Sequence, residues 1–305
     1  DGHDYIGDAI DRGAACIVAE RGEYEVKTII VPDTRTYLAN YLKDLYSDRL
    51  NDIKLIGITG TNGKTTSCYL IYELLNLLGV KAAYIGTIGF YLPSGDKPLV
   101  NTTPDLYDLY EMFGKAASEG CQYIVMEVSS QALDMRRVEG IKFDFVCYTN
   151  LTQDHLDYHK TMEAYLDAKL LLLKQLVGPM IVNADDSYHT AWEKADKTVK
   201  LGYNAEDYKI EEFTNVPGGT KVKFTNNTKL YEVTTNLKNE FNVYNYLTAL
   251  SIANNLGFDI EHILEVTPKV NAPKGRCEII KVREAEAVVD YAHTPDAVEK
   301  IITSF

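Results

Sequence analysis

Cations are scarce in this sequence: 31 Lys and Arg stand against 44 Asp and Glu over 305 residues, a formal net charge of -13. Nucleic-acid binding draws most of its affinity from clustered Lys and Arg, so a broad phosphate-tracking surface is excluded. Paired cysteines are missing too. The five present, Cys16, Cys68, Cys121, Cys147 and Cys277, are scattered and show no CxxC spacing. That argues against a disulfide framework or a zinc knuckle and for reduced residues in the core. No apolar run approaches the roughly 18 to 20 uncharged residues that a membrane-spanning helix needs. Asp1-Gly2-His3-Asp4 has none of the basic and then apolar character of a secretion signal. A cytoplasmic address without a membrane partner is the expectation.

What is present is ample apolar material, 46 % of residues with 25 % charged, enough for one large core and for two or three unequal ones. If such an acidic chain binds anionic nucleotides, it must gather its few cations, metal ions and backbone N–H groups in one place.

The stretch Ala9–Ala19 followed by Thr28–Pro32 reads as a short helix, a buried strand and a second strand. A unit of about 50 residues struggles to bury a core alone, so residues 1–49 are expected to be the remainder of a small α/β domain whose beginning is missing. From Lys54 the pattern becomes strand, glycine loop and helix. Further strand-length runs, Tyr123–Met126, Phe145–Tyr148 and Met180–Val182, alternate with helical segments such as Met162–Leu176. They imply an α/β fold with a mostly parallel central sheet covered on both faces. Between Tyr208 and Thr235 alternating stretches joined by Pro217-Gly218-Gly219 and Asn226-Asn227 predict an added antiparallel patch. Helices are expected over Phe241–Leu256 and Asp259–Val266. Residues 50–276 then form the central domain. Residues 277–305, with a strand at Ala287–Asp290 and a helix from Ala297, are expected to open a third, Rossmann-like domain that is truncated.

Gly60-Thr61-Asn62-Gly63-Lys64-Thr65-Thr66 joins the strand Leu55–Thr59 to a helix over Ser67–Leu78. A glycine turn in that context offers N–H groups and the positive helix end to phosphate oxygens. Lys64 would reach the β and γ phosphates and the Thr65 hydroxyl a magnesium ion, so ATP or GTP binding is expected. The spelling departs from the general phosphate loop, because Ile58 stands where the first glycine belongs. Glu127, at the end of the strand from Tyr123, falls at the carboxyl edge of the sheet, where a magnesium ligand belongs; alone, such a residue is more often a cap or solvated. Asp154-His155-Leu156-Asp157-Tyr158-His159 packs two imidazoles and two carboxylates into six residues. Ion ligation or acid–base work is the functional reading, and helix capping by Thr152 or Asp154 the plain one.

Taken in order, the glycine loop, Asn101-Thr102-Thr103-Pro104, Met126-Glu127-Val128-Ser129-Ser130, Thr149-Asn150-Leu151 with Asp154–His159, Ala168-Lys169, and Val289–Asp296 resemble the Mur ligases along nearly the whole chain. The short G-x-x-G-K-T-T loop is the form that family uses. The resemblance implies a lysine carbamylated by CO2, here Lys169, which the residues alone would place on the surface of its helix. It implies that Lys169 and His155 hold a second magnesium, and Thr65 and Glu127 the first. Asn101, Thr102, Thr103, Ser129 and Arg137 match positions that hold the muramoyl-peptide, although Met135 stands where the family has Gln. Asn242 and Asn245 match adenine-side positions, Arg276 a phosphate contact and Asp290 a ribose contact. The implied reaction is ATP-dependent ligation with Mg2+, joining meso-diaminopimelate or L-lysine to UDP-MurNAc-L-alanyl-D-glutamate through an acyl phosphate, by a cytoplasmic monomer. With the uridine pocket and amine-selecting region largely outside residues 1–305, this chain alone is expected to bind Mg-ATP weakly without completing ligation. A folylpolyglutamate synthase-like ligase and a nucleotide-binding module without ligation are the competing readings.

Overall fold

The computed structural model describes residues 2–283 and 285–305; Asp1 of the polar opening and Glu284 lie outside the described residues. A short helix α1 (Ile6–Asp11) leads into two parallel strands, β1 (Cys16–Ala19) and β2 (Lys27–Ile30), which form a two-stranded sheet of their own among the described residues. Their core is small, with Ile6, Ile17 and Ala19 buried. Cys16 is exposed, not in the core as expected, because it starts the edge of a thin two-stranded sheet; the other four cysteines are buried and all five are free.

Helix α2 (Thr34–Leu50) is capped by Asp33, whose carboxylate accepts from the Thr36 N–H at 2.7 Å. Then come β3 (Lys54–Thr59), α3 (Lys64–Leu77), β4 (Ala82–Gly86), β5 (Gly89–Leu92), β6 (Gly95–Lys97), α4 (Leu106–Ser118), β7 (Tyr123–Glu127), α5 (Ser130–Asp134) and β8 (Phe145–Tyr148). After α6 (Leu156–His159) and α7 (Met162–Leu170) follow β9 (Met180–Asn183), β10 (Thr198–Gly202), β11 (Tyr208–Val216), β12 (Gly219–Asn226) and β13 (Lys229–Thr235). The long helix α8 (Glu240–Asn255), α9 (Ile260–Val266), the strands β14 (Glu278–Val282) and β15 (Ala285–Val289), and α10 (Pro295–Thr303) complete the chain.

Eleven strands form one sheet in the order β13-β12-β11-β10-β9-β8-β3-β7-β4-β5-β6 among the described residues. The strands from β11 through β4 run parallel, and the antiparallel additions lie at both edges. Apolar residues sort by strand parity. Ile56, Ile58, Tyr123 and Val125 face the core beneath α3 and α8, while Ile124, Met126 and Val146 face the core beneath α4 and α7. Two buried faces are the reason β7 and β8 read as unbroken apolar runs. Helix α8 is wedged so that every residue from Asn245 to Ala253 is buried, its polar Asn245, Thr248 and Ser251 included, which leaves no exposed face along its middle.

The expected antiparallel patch is β11–β13, but it continues the parallel sheet, since β11 lies parallel beside β10. The helix expected to run to Leu176 ends at Leu170 and tightens into a 3-10 turn, Leu171–Gln175. The last segment holds two antiparallel strands rather than one, because β14 precedes β15.

Two arginines tie α2 to its neighbours. Arg35 pairs with Asp105, the cap of α4, at 2.5 Å. Arg136 pairs with Asp33 at 2.6 Å and with Glu139 at 3.1 Å. The Arg136 guanidinium and the Thr36 N–H hold the Asp33 carboxyl down to about 2. The contribution of this pair is therefore complete above the ordinary carboxylate range and lost as pH falls through about 2. Replacing Arg136 by Ala should raise the Asp33 pKa toward the ordinary value of about 3.9. A carboxyl 13C titration checks this, and an unmoved Asp33 would assign the depression to the helix cap alone.

Candidate active site

Strand β3 ends at Thr59 and the chain turns sharply into α3. Gly60 adopts φ +146°, and a Cβ there would lie 1.9 Å from the Thr149 hydroxyl oxygen. Gly63, at φ +84°, immediately precedes α3 and supplies no capping side chain; a Cβ on it would meet Asn245 Oδ1 at 2.6 Å. Both positions demand glycine. The loop is held from the end of β8. The Thr61 N–H donates to Asn150 O at 2.8 Å, the Asn62 N–H to Asn150 Oδ1 at 2.9 Å, and the Thr149 hydroxyl to Asn62 O at 2.7 Å. Residues from Thr61 to Thr66 line a cavity of about 720 Å³.

Two lysines meet under this loop. Lys64 Nζ donates to Gly60 O at 3.0 Å and Thr61 O at 2.8 Å, and Lys169 Nζ donates to the same Gly60 O at 2.8 Å. Lys169 is 1 % exposed, so the surface position that its helix pattern suggested is overturned. The turn of α7 carries it under the sheet edge, with Nζ 4.5 Å from the Tyr165 ring centroid. Burial, reinforced by the Lys64 charge, pushes the Lys169 amine well below the ordinary range. Burial also lowers Lys64, against the pull of Glu127 and Asp154.

Glu127 is fully buried one strand over, since β7 pairs with β3 in the register Ile58↔Glu127. Its Oε2 accepts from the Thr65 hydroxyl at 2.9 Å and the Thr87 hydroxyl at 3.2 Å; its Oε1 accepts from the Tyr84 hydroxyl at 2.6 Å and the Thr87 N–H at 2.8 Å. His155 lines the same cavity in the left-handed region, at φ 52°. Its Nε2 lies 3.4 Å from Asp154 Oδ2, and burial holds the imidazole below its ordinary range. A neutral imidazole is the form that binds metal.

The four grouped residues of 154–159 separate. Asp154 and His155 line the cavity. Asp157 is exposed, and His159 turns into the interior with Nε2 2.9 Å from Ser130 Oγ. Among the described residues no three His, Cys, Asp or Glu converge as a metal cage. Magnesium needs none, because it retains waters and takes one or two carboxylates plus substrate phosphates. Thr65 with Glu127 fits that requirement, whereas His155 and the Lys169 amine offer no carboxylate.

Asn101, Thr102, Thr103, Ser129 and Arg137 line the same cavity. The Thr103 hydroxyl donates to Glu127 O at 2.9 Å and accepts from the Ser129 N–H at 3.1 Å, and Arg137 donates to Thr103 O at 3.1 Å. Arg136 turns away to Asp33, and Met135 is exposed. Asn245 reaches the cavity, whereas Asn242 stands behind it, accepting from Asn245 Nδ2 at 3.0 Å. From the C-terminal segment, Arg276 donates to the Thr65 hydroxyl at 3.2 Å and stacks on Tyr291. Asp290 lines the cavity while accepting from the Cys277 and Ala292 N–H groups at 2.7 Å. Asn62 Nδ2 donates to Asp296 Oδ2 at 3.1 Å. Tyr84, Thr87, Tyr165 and Asp296 escaped the sequence reading: a tyrosine in an apolar strand reads as core, and Thr87 follows a glycine in an unremarkable turn.

A phosphate loop at the carboxyl edge of a parallel sheet, with two lysines on one loop carbonyl and a carboxylate facing its first helical hydroxyl, defines a nucleotide-binding α/β protein. The family described as "Mur ligase middle domain" matches residues 58–253. The chain belongs to the Mur ligase family. It is 37 % identical over 318 residues to the UDP-N-acetylmuramoyl-L-alanyl-D-glutamate–2,6-diaminopimelate ligase of Clostridium perfringens, an alignment that takes in 100 % of this chain and 65 % of that protein. A solved structure of a ligase of the same name matches with a TM-score of 0.84 at 30 % identity, over 99 % of this chain and 64 % of that one. The chain thus spans just under two thirds of the length of these relatives. The folylpolyglutamate synthase of Mycobacterium tuberculosis shares the fold, with a TM-score of 0.71 at 15 % identity over 89 % of this chain and 69 % of that one. No helix among the described residues is long and apolar enough to cross a membrane.

The buried Lys169 has a thermodynamic signature. Its amine binds a proton less readily in the folded chain than in the unfolded one, so stability falls as pH drops through the interval between the two pKa values. In CO2-depleted buffer, Lys169→Met should melt several degrees above the parent near pH 6, and the lead should shrink as pH rises. A lead that does not change with pH would mean that the folded chain holds this amine charged.

Proposed function

We propose that this chain carries the nucleotide site and much of the acceptor site of an ATP-dependent ligase that joins meso-diaminopimelate to UDP-MurNAc-L-alanyl-D-glutamate. The observation that supports it best is the single cavity on which the Lys64 loop, Glu127, His155 and the Asn101–Thr103 segment converge, with Lys169 beneath the loop. Diaminopimelate, rather than lysine, follows the names of the relatives. In the proposed division of labour, residues 1–49 belong to the unit that binds the uridine nucleotide, 50–276 bind ATP and the muramoyl-peptide, and 277–305 begin the unit that selects the amine. Folylpolyglutamate synthesis has only the shared fold in its favour. Cytoplasmic location and a monomeric state are part of the same proposal.

A free carboxylate resists attack by an amine because oxide is a poor leaving group. The γ phosphoryl of ATP is therefore transferred to it first, giving an acyl phosphate and ADP, and the amine then displaces phosphate. Such a transfer needs alignment and charge neutralisation more than covalent help from the protein. Lys64 and the first turn of α3 cradle the phosphates. Arg137, with a planar fork suited to a carboxylate, orients the acceptor, and Asn101, Thr102, Thr103 and Ser129 hold the muramoyl-peptide beside it. Asn245, steadied by Asn242, faces the adenine; Arg276 meets a phosphate and Asp290 the ribose. Thr65 and Glu127 would hold one magnesium, and His155 with carbamylated Lys169 a second; bound there, magnesium neutralises charge that builds on the transferring phosphoryl group. The uncharged amine favoured by burial is the species that adds to CO2, forming an N–C bond and releasing a proton. The resulting carbamate is an anion beside Lys64, where a protonated Lys169 would have been a second cation on one carbonyl.

At the full length of the relatives, phosphate release from ATP should require both UDP-MurNAc-L-alanyl-D-glutamate and meso-diaminopimelate. Release that ignores the muramoyl nucleotide but responds to a folate would overturn the proposal. Lys169→Ala should lower turnover by about 10²–10³-fold or more and should remove the carbamate carbon signal seen by 13C NMR in labelled bicarbonate. Retention of both turnover and signal would exclude the carbamate.

A further inference from the structure

Strand β4 lies beside β7 on the side away from the glycine loop, in the register Ile85↔Met126. From it Tyr84 projects into the core and is fully buried. Its ring belongs to a cluster with Tyr69, Tyr72 and Tyr91, at centroid distances of 6.3, 6.4 and 5.4 Å. Packing alone would account for the ring, and a phenylalanine would serve as well. It does not account for the hydroxyl, which donates to Glu127 Oε1 at 2.6 Å.

The surroundings are built around that contact. A Cβ at Gly86 would fall 2.3 Å from both Glu127 Oε1 and the Tyr84 hydroxyl oxygen, so the backbone of β4 leaves room for the pair only as glycine. Thr87 reaches both oxygens of Glu127, its N–H to Oε1 and its hydroxyl to Oε2 at 3.2 Å, but Tyr84 meets Oε1 alone and Thr65 Oε2 alone. Oε1 is held by the Tyr84 hydroxyl and the Thr87 N–H, both from β4 and the turn after it. Oε2 faces Thr65, the hydroxyl at the start of α3.

We propose that Tyr84 is a positioning residue for the metal site: it anchors Oε1 of Glu127 and thereby commits Oε2 to the cation shared with Thr65. The inference rests on the reading of Glu127 as a magnesium ligand. It reaches beyond it by assigning a role to a side chain that touches neither nucleotide nor metal. Outer hydrogen bonds to a ligating carboxylate typically account for 10- to 100-fold in metal affinity.

The test is Mn2+ binding to the ADP-loaded protein, followed by electron paramagnetic resonance, with metal-free ADP binding measured alongside. Tyr84→Phe keeps the ring and removes the donor. It should weaken Mn2+ binding by about 10-fold or more and leave metal-free ADP binding unchanged. Unaltered Mn2+ affinity in Tyr84→Phe overturns the proposal. Glu127→Ala separates the two levels: if it leaves Mn2+ affinity intact, the metal-ligand reading itself fails, and this proposal with it. If Glu127→Ala abolishes tight binding, adding Tyr84→Phe should cost nothing more, and a further loss would show that Tyr84 acts by another route. Should Tyr84→Phe not fold, Gly86→Ala displaces the same oxygen from the opposite side and must weaken Mn2+ binding too; unchanged affinity there overturns the proposal equally.

Discussion

One carbonyl oxygen, that of Gly60, accepts from a buried lysine and a half-buried one that approach from different elements. Two ammonium groups on one acceptor in a water-poor setting repel strongly, and at an effective dielectric constant of about 20 unit charges 4 Å apart interact by roughly 4 kcal/mol. The arrangement is tolerable only if one amine is neutral or an anion sits near, and the fold supplies for both. Gly60 can expose its carbonyl in this way because a side chain there would strike Thr149. Lys169 reaches it because α7 is drawn against the sheet, with Tyr165 as its floor. The opposing charge of Glu127 is fixed one strand away by the β3–β7 register. Loop, helix and strand are thus fitted to an electrostatic problem that a polyphosphate would relieve.

The parts of this arrangement encoded locally were legible in the sequence. The glycine loop between an apolar strand and a helix has a fixed spelling, and Glu127 follows a run that only a buried strand explains. Strands β7, β8 and β9 appeared for the same reason, each being covered on both faces. The burial of Lys169 was not legible: a lysine on a short helix is ordinarily solvated, and only the family pattern singled it out. Tyr84 was silent as well, because a period of two places it in the core without saying what its hydroxyl meets. The second C-terminal strand was missed because Glu278 and Lys281 interrupt its apolar residues, as befits a strand in a two-stranded ribbon. Hairpin β5–β6 was hidden by the exposed Gly95-Asp96-Lys97, which shows no apolar alternation.

Membership of the Mur ligase family and likeness to a folylpolyglutamate synthase fold are compatible, since a fold hosts more than one chemistry and specificity lies in the groups placed around the site. The nucleotide half depends on backbone turns and strand ends. The acceptor half, as proposed, would depend on the 101–103 segment, whose Thr103 hydroxyl is hydrogen-bonded to the backbone of Glu127 itself. The 101–103 segment is therefore fastened to the same residue that faces the glycine loop, and Thr87 adds a second link by touching both Glu127 and Thr102.

Trp192 is the sole tryptophan of the sequence, and it is fully buried. Its indole stacks on Tyr148 at a centroid distance of 4.6 Å. Tyr148 is the last residue of β8, and its neighbour Thr149 holds the glycine loop through Asn62. Nature has thus placed a single fluorophore one ring and one residue from the phosphate loop. Within residues 1–305 the indole emission arises from one environment, so it reads the strand end on which the loop is hung.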